Sequence, residues 1–479
     1  MSSHRRLHRV YQNRATSKIK SDAQRDQFRR AHAKNLAIPR PFDAAHRLDS
    51  YVLDQVELVE DGLPRPTIEF TMRARENGLP TCSGCGIRCS GYDTLPKARR
   101  FEFISLWLIP VVLIYQMRRV DCPTCGVKVE RVPWAEGKSR LTTEYKWFLA
   151  GWARRMSWDE VSACFQVSWD HVYKSVKYAV SWGMSHRDLS GIESIGIDEV
   201  QWKRGHKYQT LVYQIDAGSK RLLWIGPDRT AKTLLRFFRF LGKDRTKLLK
   251  FVCSDMWQAY LKVIAKKTPN AIHVLDRFHV MQKMSKAIDK VRAAEVKQLK
   301  VDGYEPVLTR SRWVLLKRPE NLTDSQATKL SELLDCNLKA IRSYLMKEDF
   351  QQFWDYTYAA WAGKFLDAWC TRAMRSKIEP MKGVAKTLRS KRELLLNWFR
   401  AGGSYSSAVV EGFNNKLKLI TRKSYGFRTQ DAYETTLYHN LGDLPEPDFT
   451  HRFVGCPRAI PTNYAAIVTV LSQNWLRVA

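Results

Sequence analysis

The sequence predicts a multidomain α/β protein: a cysteine-bearing β module, a helical module, and a mixed-sheet body interrupted by a long helical stretch. Three observations carry this reading. The chain has 479 residues, which is about three domains at roughly 150 residues each. Two turns of the same C-x-x-C-G form, at Cys82/Cys85 and Cys122/Cys125, announce a metal-stapled module. After Gly191, short β-rich segments alternate with helical ones, and from about Asp276 to Arg400 the pattern is helical and basic. Hydrophobic residues are 44% and charged residues 27%, the composition of a chain that buries cores rather than one that stays disordered.

The elements are justified in chain order. The first 45 residues form a basic arm, with eleven Lys/Arg against two Asp/Glu in the first 40, suited either to solvation or to phosphate neutralisation. That arm has no apolar core of the signal-peptide kind, so reduced thiols and a cytoplasmic, nucleoid-associated location are expected. Residues 46–138 form the cysteine module. Each C-x-x-C turn can aim two thiolates at one point, and two turns complete a tetrahedral site for one structural Zn²⁺, with Cys89 a spare thiol. Between the turns the apolar run Phe103 to Tyr115 is broken by Pro110 and flanked by Arg100 and Arg118. It is short of the roughly 20 residues of a membrane span. It is expected instead to form two buried strands, a hairpin joining the two knuckles.

Residues 139–188 read as helix-turn-helix. Thr142 to Arg155 is the first helix, and Ser157 with Glu160 three residues on makes a capping box for the second. Gln166-Val167-Ser168 is a turn, and Trp169 to Val180 is a third helix with Val172 and Val176 on one face. In the body, Ser194 to Asp198 is an apolar strand ending on a carboxylate. Lys207 to Asp216 and Arg221 to Ile225 continue an antiparallel meander, and Thr230 to Leu241 is a helix. Leu248 to Cys253 is a fourth strand ending at Ser254-Asp255, a helix follows from near Met256, and Ala271 to Leu275 is a fifth strand. The body therefore spans 189–282 and 403–445, divided by an all-helical insertion at 283–402, with a tail at 446–479. The insertion is rich in tryptophan, including Trp313 and Trp369, which read mainly as core and alternatively as base-stacking aromatics.

Net charge narrows the partner to a polyanion but does not choose which. Lys plus Arg is 80 against 48 Asp plus Glu, a formal +32 that implies a polyanion, with nucleic acid ahead of an anionic membrane surface. Asp198 and Asp255, each at a strand end, can come close together, and close carboxylates repel unless a divalent cation lies between them. With a third carboxylate they can hold two Mg²⁺ ions, Mn²⁺ substituting, for in-line displacement at phosphorus. Glu411 is the candidate third carboxylate. It heads a segment whose Asn415, Lys416, Lys418, Arg422 and Lys423 are placed to grip a DNA backbone. Further candidate DNA contacts are Trp169, His171 and Lys174 on the third helix, and Lys203 and Arg204 beyond the first body strand.

The paired C-x-x-C module, the helix-turn-helix and the stretches GIDEVQWKRGHKYQT (196–210), SDMWQAY (254–260), LDRFHV (275–280), RWVLLKRPENLT (312–323) and EGFNNKLKLITRKSYGF (411–427) occur in one order. In this the chain resembles the ISL3 family of bacterial insertion-sequence transposases over nearly everything after the arm. The resemblance implies a ribonuclease-H-like core carrying an Asp-Asp-Glu triad, here Asp198, Asp255 and Glu411, with the helical insertion between the last two. It implies that Asp276 and His279 form a D-x-x-H element, His279 positioning the scissile phosphate or a flanking base. It further implies binding to double-stranded terminal inverted repeats, water-driven cutting to free 3′-OH ends, and direct attack of those ends on target DNA by at least a dimer. No small-molecule substrate or membrane is expected. Two other readings stand beside it: a repressor that keeps only the DNA-binding modules, and a ribonuclease-H-type nuclease that cuts without joining.

Overall fold

The computed structural model describes residues 48, 50–60, 66–107, 109–203, 205, 207–304, 307–402 and 408–449, and within the helix that follows residue 407 it leaves out the side chains of Ala408, Val410 and Glu411. The basic arm, Arg204 and all but the first residues of the tail lie outside the described residues. The chain divides into two compact units, residues 1–185 with 445–479, and residues 186–444.

Among the described residues the first unit holds two sheets and three helices. β1 (Tyr51–Val59), β2 (Thr67–Ala74), β5 (Ile109–Tyr115) and β4 (Arg99–Leu106) form one sheet in the order β1-β2-β5-β4, with β2 and β5 parallel and the other pairs antiparallel. Its buried face gathers Tyr51, Phe70, Phe101, Leu113 and Tyr115 around Trp134. Trp134 meets Tyr51, Phe101 and Tyr115 edge-on, the arrangement that ring quadrupoles favour. A second sheet of three short strands, β3 (Ser90–Thr94), β6 (Arg118–Cys122) and β7 (Gly126–Val129), carries the cysteines. The apolar hairpin is thus real, but it belongs to the four-stranded sheet rather than bridging the knuckles. β2 pairs with the hairpin strand β5, and β1 pairs with β2 in turn, which the weakly alternating sequence of 51–74 did not advertise.

The helical part of this unit follows its caps. Thr142 accepts the Tyr145 N–H at the start of α1 (Thr143–Ala153), and Ser157 and Glu160 close a full capping box on α2 (Trp158–Phe165). Gln166 then takes a left-handed conformation, φ 51°, which ends α2 and turns the chain into α3 (Trp169–His186). α3 continues past Val180 to His186, with Gly183 buried along it.

The second unit is built on one mixed sheet of order β10-β9-β8-β11-β12. β8 (Ser194–Lys203), β9 (Lys207–Asp216) and β10 (Ser219–Pro227) are an antiparallel meander, and β11 (Phe251–Ser254) and β12 (Ile272–Leu275) add in parallel beside β8. The pleat sends alternate residues to opposite faces. Ile195, Ile197 and Val212 pack against α4 (Ala231–Leu241) and α6 (Gln258–Lys267), with the short α5 (Lys243–Lys247) between the helices in sequence. Leu211, Tyr213 and Cys253 pack on the other face against α14 (Ala408–Lys423) and α15 (Gln430–Leu441). Between these layers in sequence run α7 (Arg277–Val301), α8 (Arg312–Leu316), α9 (Asp324–Leu334), α10 (Lys339–Gln351), α11 (Ala359–Arg375), α12 (Glu379–Ser390) and α13 (Arg392–Arg400), which share one apolar core. α7 starts at the sheet edge and runs unbroken across residue 283, so sheet and helical insertion are joined by a continuous helix. Asn397 of α13 donates to the His273 carbonyl of β12 at 2.8 Å, tying the insertion to the sheet. None of the described helices is long and apolar enough to cross a membrane.

Candidate active site and cysteine centre

The carboxylates are assembled by strand register. β8 and β11 run parallel, and their last paired residues are Ile197 and Ser254. The next residue on each strand is Asp198 on one and Asp255 on the other, so the two acids emerge side by side where the parallel pairing ends. Asp198 does not end its strand: β8 continues to Lys203 by pairing with β9 alone. The site is therefore at the end of β11, not of β8, and Asp198 is correspondingly more enclosed, with 8% of its surface exposed.

His279 stands between the acids. Its Nε2 is 3.9 Å from Asp198 Oδ1 and 3.7 Å from Asp276 Oδ2, and its Nδ1 is 3.8 Å from Asp255 Oδ1. Asp276 explains how it gets there: its carboxylate accepts the Phe278 N–H at 2.7 Å and so caps α7, fixing the first turn that carries His279. Asp255 in turn accepts the Met256 N–H. Burial pushes the Asp198 carboxyl above its ordinary range, against the opposing pull of the Asn414 amide and the Glu199 N–H. Beside it, burial pushes Glu199 up to about 7, although Arg229 approaches it at 2.5 Å. Arg229 also lies over the Trp257 ring, 4.2 Å from its centroid.

α14 closes the site from the other sheet face. Phe413 stacks on Tyr213 with ring centroids 4.4 Å apart, which fixes the helix along the sheet. One residue on, Asn414 donates its amide to Asp198 Oδ2 at 2.6 Å. Glu411 lies on the same helix three residues before Asn414, and its side chain is outside the described residues. Asn414, Glu199 and Arg229 were not singled out by sequence. For Asn414 a signal existed: it is the residue one helical turn from Glu411, on the same helix face. Asn415, Lys416, Lys418 and Arg422 of α14 are exposed, Lys423 is half-buried, and Lys203 is exposed near the far end of β8.

Oxygen donors suit a hard divalent cation. Asp198 is a buried carboxylate that meets two N–H donors and, among the described residues, no basic side chain nearer than His279 at 3.9 Å. A buried anion so short of counter-charge fits a site that takes a metal ion.

In the first unit the Sγ atoms of Cys82, Cys85, Cys122 and Cys125 all lie within 4.8 Å of one another, with Cys85 and Cys122 3.5 Å apart. Four thiolates at ~2.3 Å from a central ion require separations close to this. Gly84 makes room for the cluster, since a Cβ there would sit 2.9 Å from Cys125 Sγ. Cys89 is buried beside the cluster and is not one of the four.

The helix-turn-helix candidates lie on α3. Trp169 stacks on Tyr173 and leans against Trp158, with 44% of its surface exposed. Lys174 pairs with Asp170 at 2.6 Å. His171 and Lys174, with Lys138, Arg140 and Lys177, line a groove of about 610 Å³. In the insertion, Trp369 is fully buried and donates to the Met346 carbonyl, so it is a core residue, whereas Trp313 is exposed.

Comparison with known proteins agrees on one class. A family model described as transposase, of the DDE ISL3 type, matches residues 195–437, half of the chain, from β8 into α15. The transposase for insertion sequence element IS1001 of Bordetella parapertussis is 30% identical over 386 residues, covering 80% of this chain and 93% of its own. The transposase for insertion sequence element IS1557 of Mycobacterium tuberculosis is 28% identical over 408 residues, covering 80% of this chain and 90% of its own.

Proposed function

Because the chain belongs to the ISL3 family of insertion-sequence transposases, we propose that it binds the terminal inverted repeats of its element, cleaves DNA to expose 3′-OH ends, and joins those ends to target DNA. On this reading the mixed sheet and its flanking helices are a ribonuclease-H-like core split by the helical insertion. The zinc module and the helix-turn-helix act as end-recognition parts working on the bacterial nucleoid. The observation that carries the reading is the β8–β11 register, which sets Asp198 and Asp255 side by side with His279 within 3.9 Å of both.

Asp198, Asp255 and Glu411 would hold two Mg²⁺ ions, which when bound polarise the attacking and leaving oxygens of an in-line displacement at phosphorus. The protein's own part is positional. Asn414 holds Asp198 Oδ2, while Oδ1 accepts the Glu199 N–H and lies 3.9 Å from His279 Nε2. His279, capped into place by Asp276, sets the imidazole between the two acids, where it can orient a phosphate oxygen or the attacking hydroxyl. Asn415, Lys416, Lys418, Arg422 and Lys423 of α14, with Lys203 and Arg204, would neutralise the backbone of the strand being cut. Trp169, His171 and Lys174 would contact the repeat. One Zn²⁺ on the four cysteines is structural. Joining two ends in one event calls for at least two protomers.

The test is Asp198→Asn with labelled repeat ends and Mg²⁺. End binding should stay within about twofold of wild type, while cleavage and joining should fall by at least ~10³-fold, the scale at which removing a group that acts only on the transition state is felt. Retained joining would overturn the assignment. Cleavage without joining of pre-cut 3′-OH ends by the wild type would favour a nuclease.

A further inference from the structure

Two helices on one face of the mixed sheet carry charge of a single sign. α4 and α6 together hold Lys232, Arg236, Arg239, Lys262, Lys266 and Lys267, and no Asp or Glu. Between them runs a groove of about 740 Å³ with Leu235 and Val263 among its lining, Arg239, Lys262, Lys266 and Lys267 along its sides, Gln258 at one end, and no carboxylate. Elsewhere in the same unit cations are met by acids: Arg292 by Asp289, Lys382 by Glu379, Arg392 by Asp367 and Arg400 by Glu393. Among the described residues none of the six on α4 and α6 is so met. Like charges on packed helices repel across a screening length of about 8 Å, so a concave track lined by four of them, all unmatched, is complementary to a polyanion.

The position of the groove narrows the choice. Its Gln258 end is three residues past Asp255, at the catalytic end of α6. It lies on the sheet face packed by Ile195, Ile197 and Val212, opposite the face that carries α14. Three of its five polar lining side chains are lysines, compact point charges suited to phosphate oxygens, with Arg239 and Gln258 beside them. A surface that grips backbone without reading sequence suits DNA of arbitrary sequence, not a defined repeat end. We propose that the α4–α6 groove binds the phosphate backbone of the target duplex, so that the two faces of one sheet hold the two DNA molecules that meet at Asp198 and Asp255. This rests on the strand-transfer reading above.

The experiment uses the full-length protein, a Lys262→Glu/Lys266→Glu variant and a milder Lys262→Gln/Lys266→Gln variant, both changes lying at exposed positions. Repeat-end binding and end cleavage should stay within about twofold of wild type. Joining of pre-cut ends to a plasmid target should fall by about tenfold or more at limiting target, less for the Gln variant. It should recover as target concentration is raised or salt lowered, because the loss is in target affinity. Equal losses in end binding and joining would overturn the proposal by making the groove an end site. Unchanged joining would overturn it too, and a change in self-association by light scattering would then reassign the groove to a contact between copies. If the wild type does not join pre-cut ends at all, the strand-transfer reading fails by itself. The groove is then decided by binding to random-sequence duplex without Mg²⁺, where removing two phosphate contacts should lower the log–log salt slope by about two, and an unchanged slope would refute it.

Discussion

Asn414 Nδ2 donates to Asp198 Oδ2 at 2.6 Å across 216 residues of sequence, and this bond orients the buried carboxylate of the candidate active site. A hydrogen bond to a charged acceptor contributes about 1.5–3 kcal/mol. Losing it frees the carboxylate to rotate and leaves it less well solvated. Asn414→Ala should therefore lower joining by about 10- to 100-fold with end binding intact, and Asn414→Asp should lower it further by placing a second negative charge against Asp198. Single-turnover joining by the two variants decides this: equal and near-wild-type rates would remove Asn414 from the site.

How much of this was legible in sequence depends on range. Cap-driven elements were readable because their signals are local: Thr142, Ser157 with Glu160, and Thr230 each stand at the helix start that their side chains satisfy. The four cysteines were readable because two identical turns leave little else for them to do. The placement of Asp198 was only half readable. The apolar run Ser194 to Ile197 marked the strand, but nothing local shows that β8 continues on the support of β9 after β11 has stopped. Asn414 was in reach only as a residue one helical turn from Glu411; its pairing with Asp198 was not, since that is made by the pleat parity of β8 and the Phe413–Tyr213 stack together. Likewise the spacing of Trp369 allowed core or base-stacking use, and only its burial against Met346 chose between them.

Glu130 joins the two sheets of the first unit. Its fully buried carboxylate accepts the hydroxyls of Tyr51 (3.1 Å) and Tyr115 (2.8 Å) from the four-stranded sheet. It also accepts the Arg118 backbone N–H (2.7 Å) and guanidinium (2.8 Å) from the cysteine-bearing sheet. Glu130→Ala leaves Arg118 and two phenols facing a void, so the unit should lose about 3–5 kcal/mol of stability. Denaturant unfolding followed by tryptophan fluorescence, with Trp134 in the adjoining core, would show a midpoint unchanged from wild type if the carboxylate were dispensable.

Glu144 supplies a pH dependence. It stands in the first turn of α1, its Oε2 is buried with no hydrogen-bond partner among the described residues, and burial pushes its carboxyl up to about 7 from an ordinary 4.5. The folded state then binds a proton that the unfolded state has released, so stability attributable to this group is full below about pH 4.5 and is lost as pH rises toward 7. Glu144→Gln, neutral throughout, should flatten that part of the profile. Thermal melts at pH 5 and pH 7.5 should show a smaller difference for the variant than for wild type, and an equal difference would assign the slope to other groups.

Zinc removal should unfold the cysteine-bearing sheet before the rest of the protein. β3, β6 and β7 are four or five residues each, and their shared interior consists mainly of Cys82, Cys89, Cys122 and Val120. So small an apolar interior cannot offset the entropy of ordering the three strands, and a structural zinc contributes on the order of 10 kcal/mol at such sites. One equivalent of zinc per chain is expected by elemental analysis, and a strong chelator should abolish protection of the β6 amides in hydrogen exchange. Gly84→Ala gives a graded version: its Cβ would press on Cys125 Sγ at 2.9 Å. That displaces one ligand without deleting it, and zinc affinity should fall by about 10- to 100-fold, the range seen when the groups that orient a ligand are disturbed. Protein that stays folded and protected at β6 with no zinc bound would show that thiol packing alone holds the module.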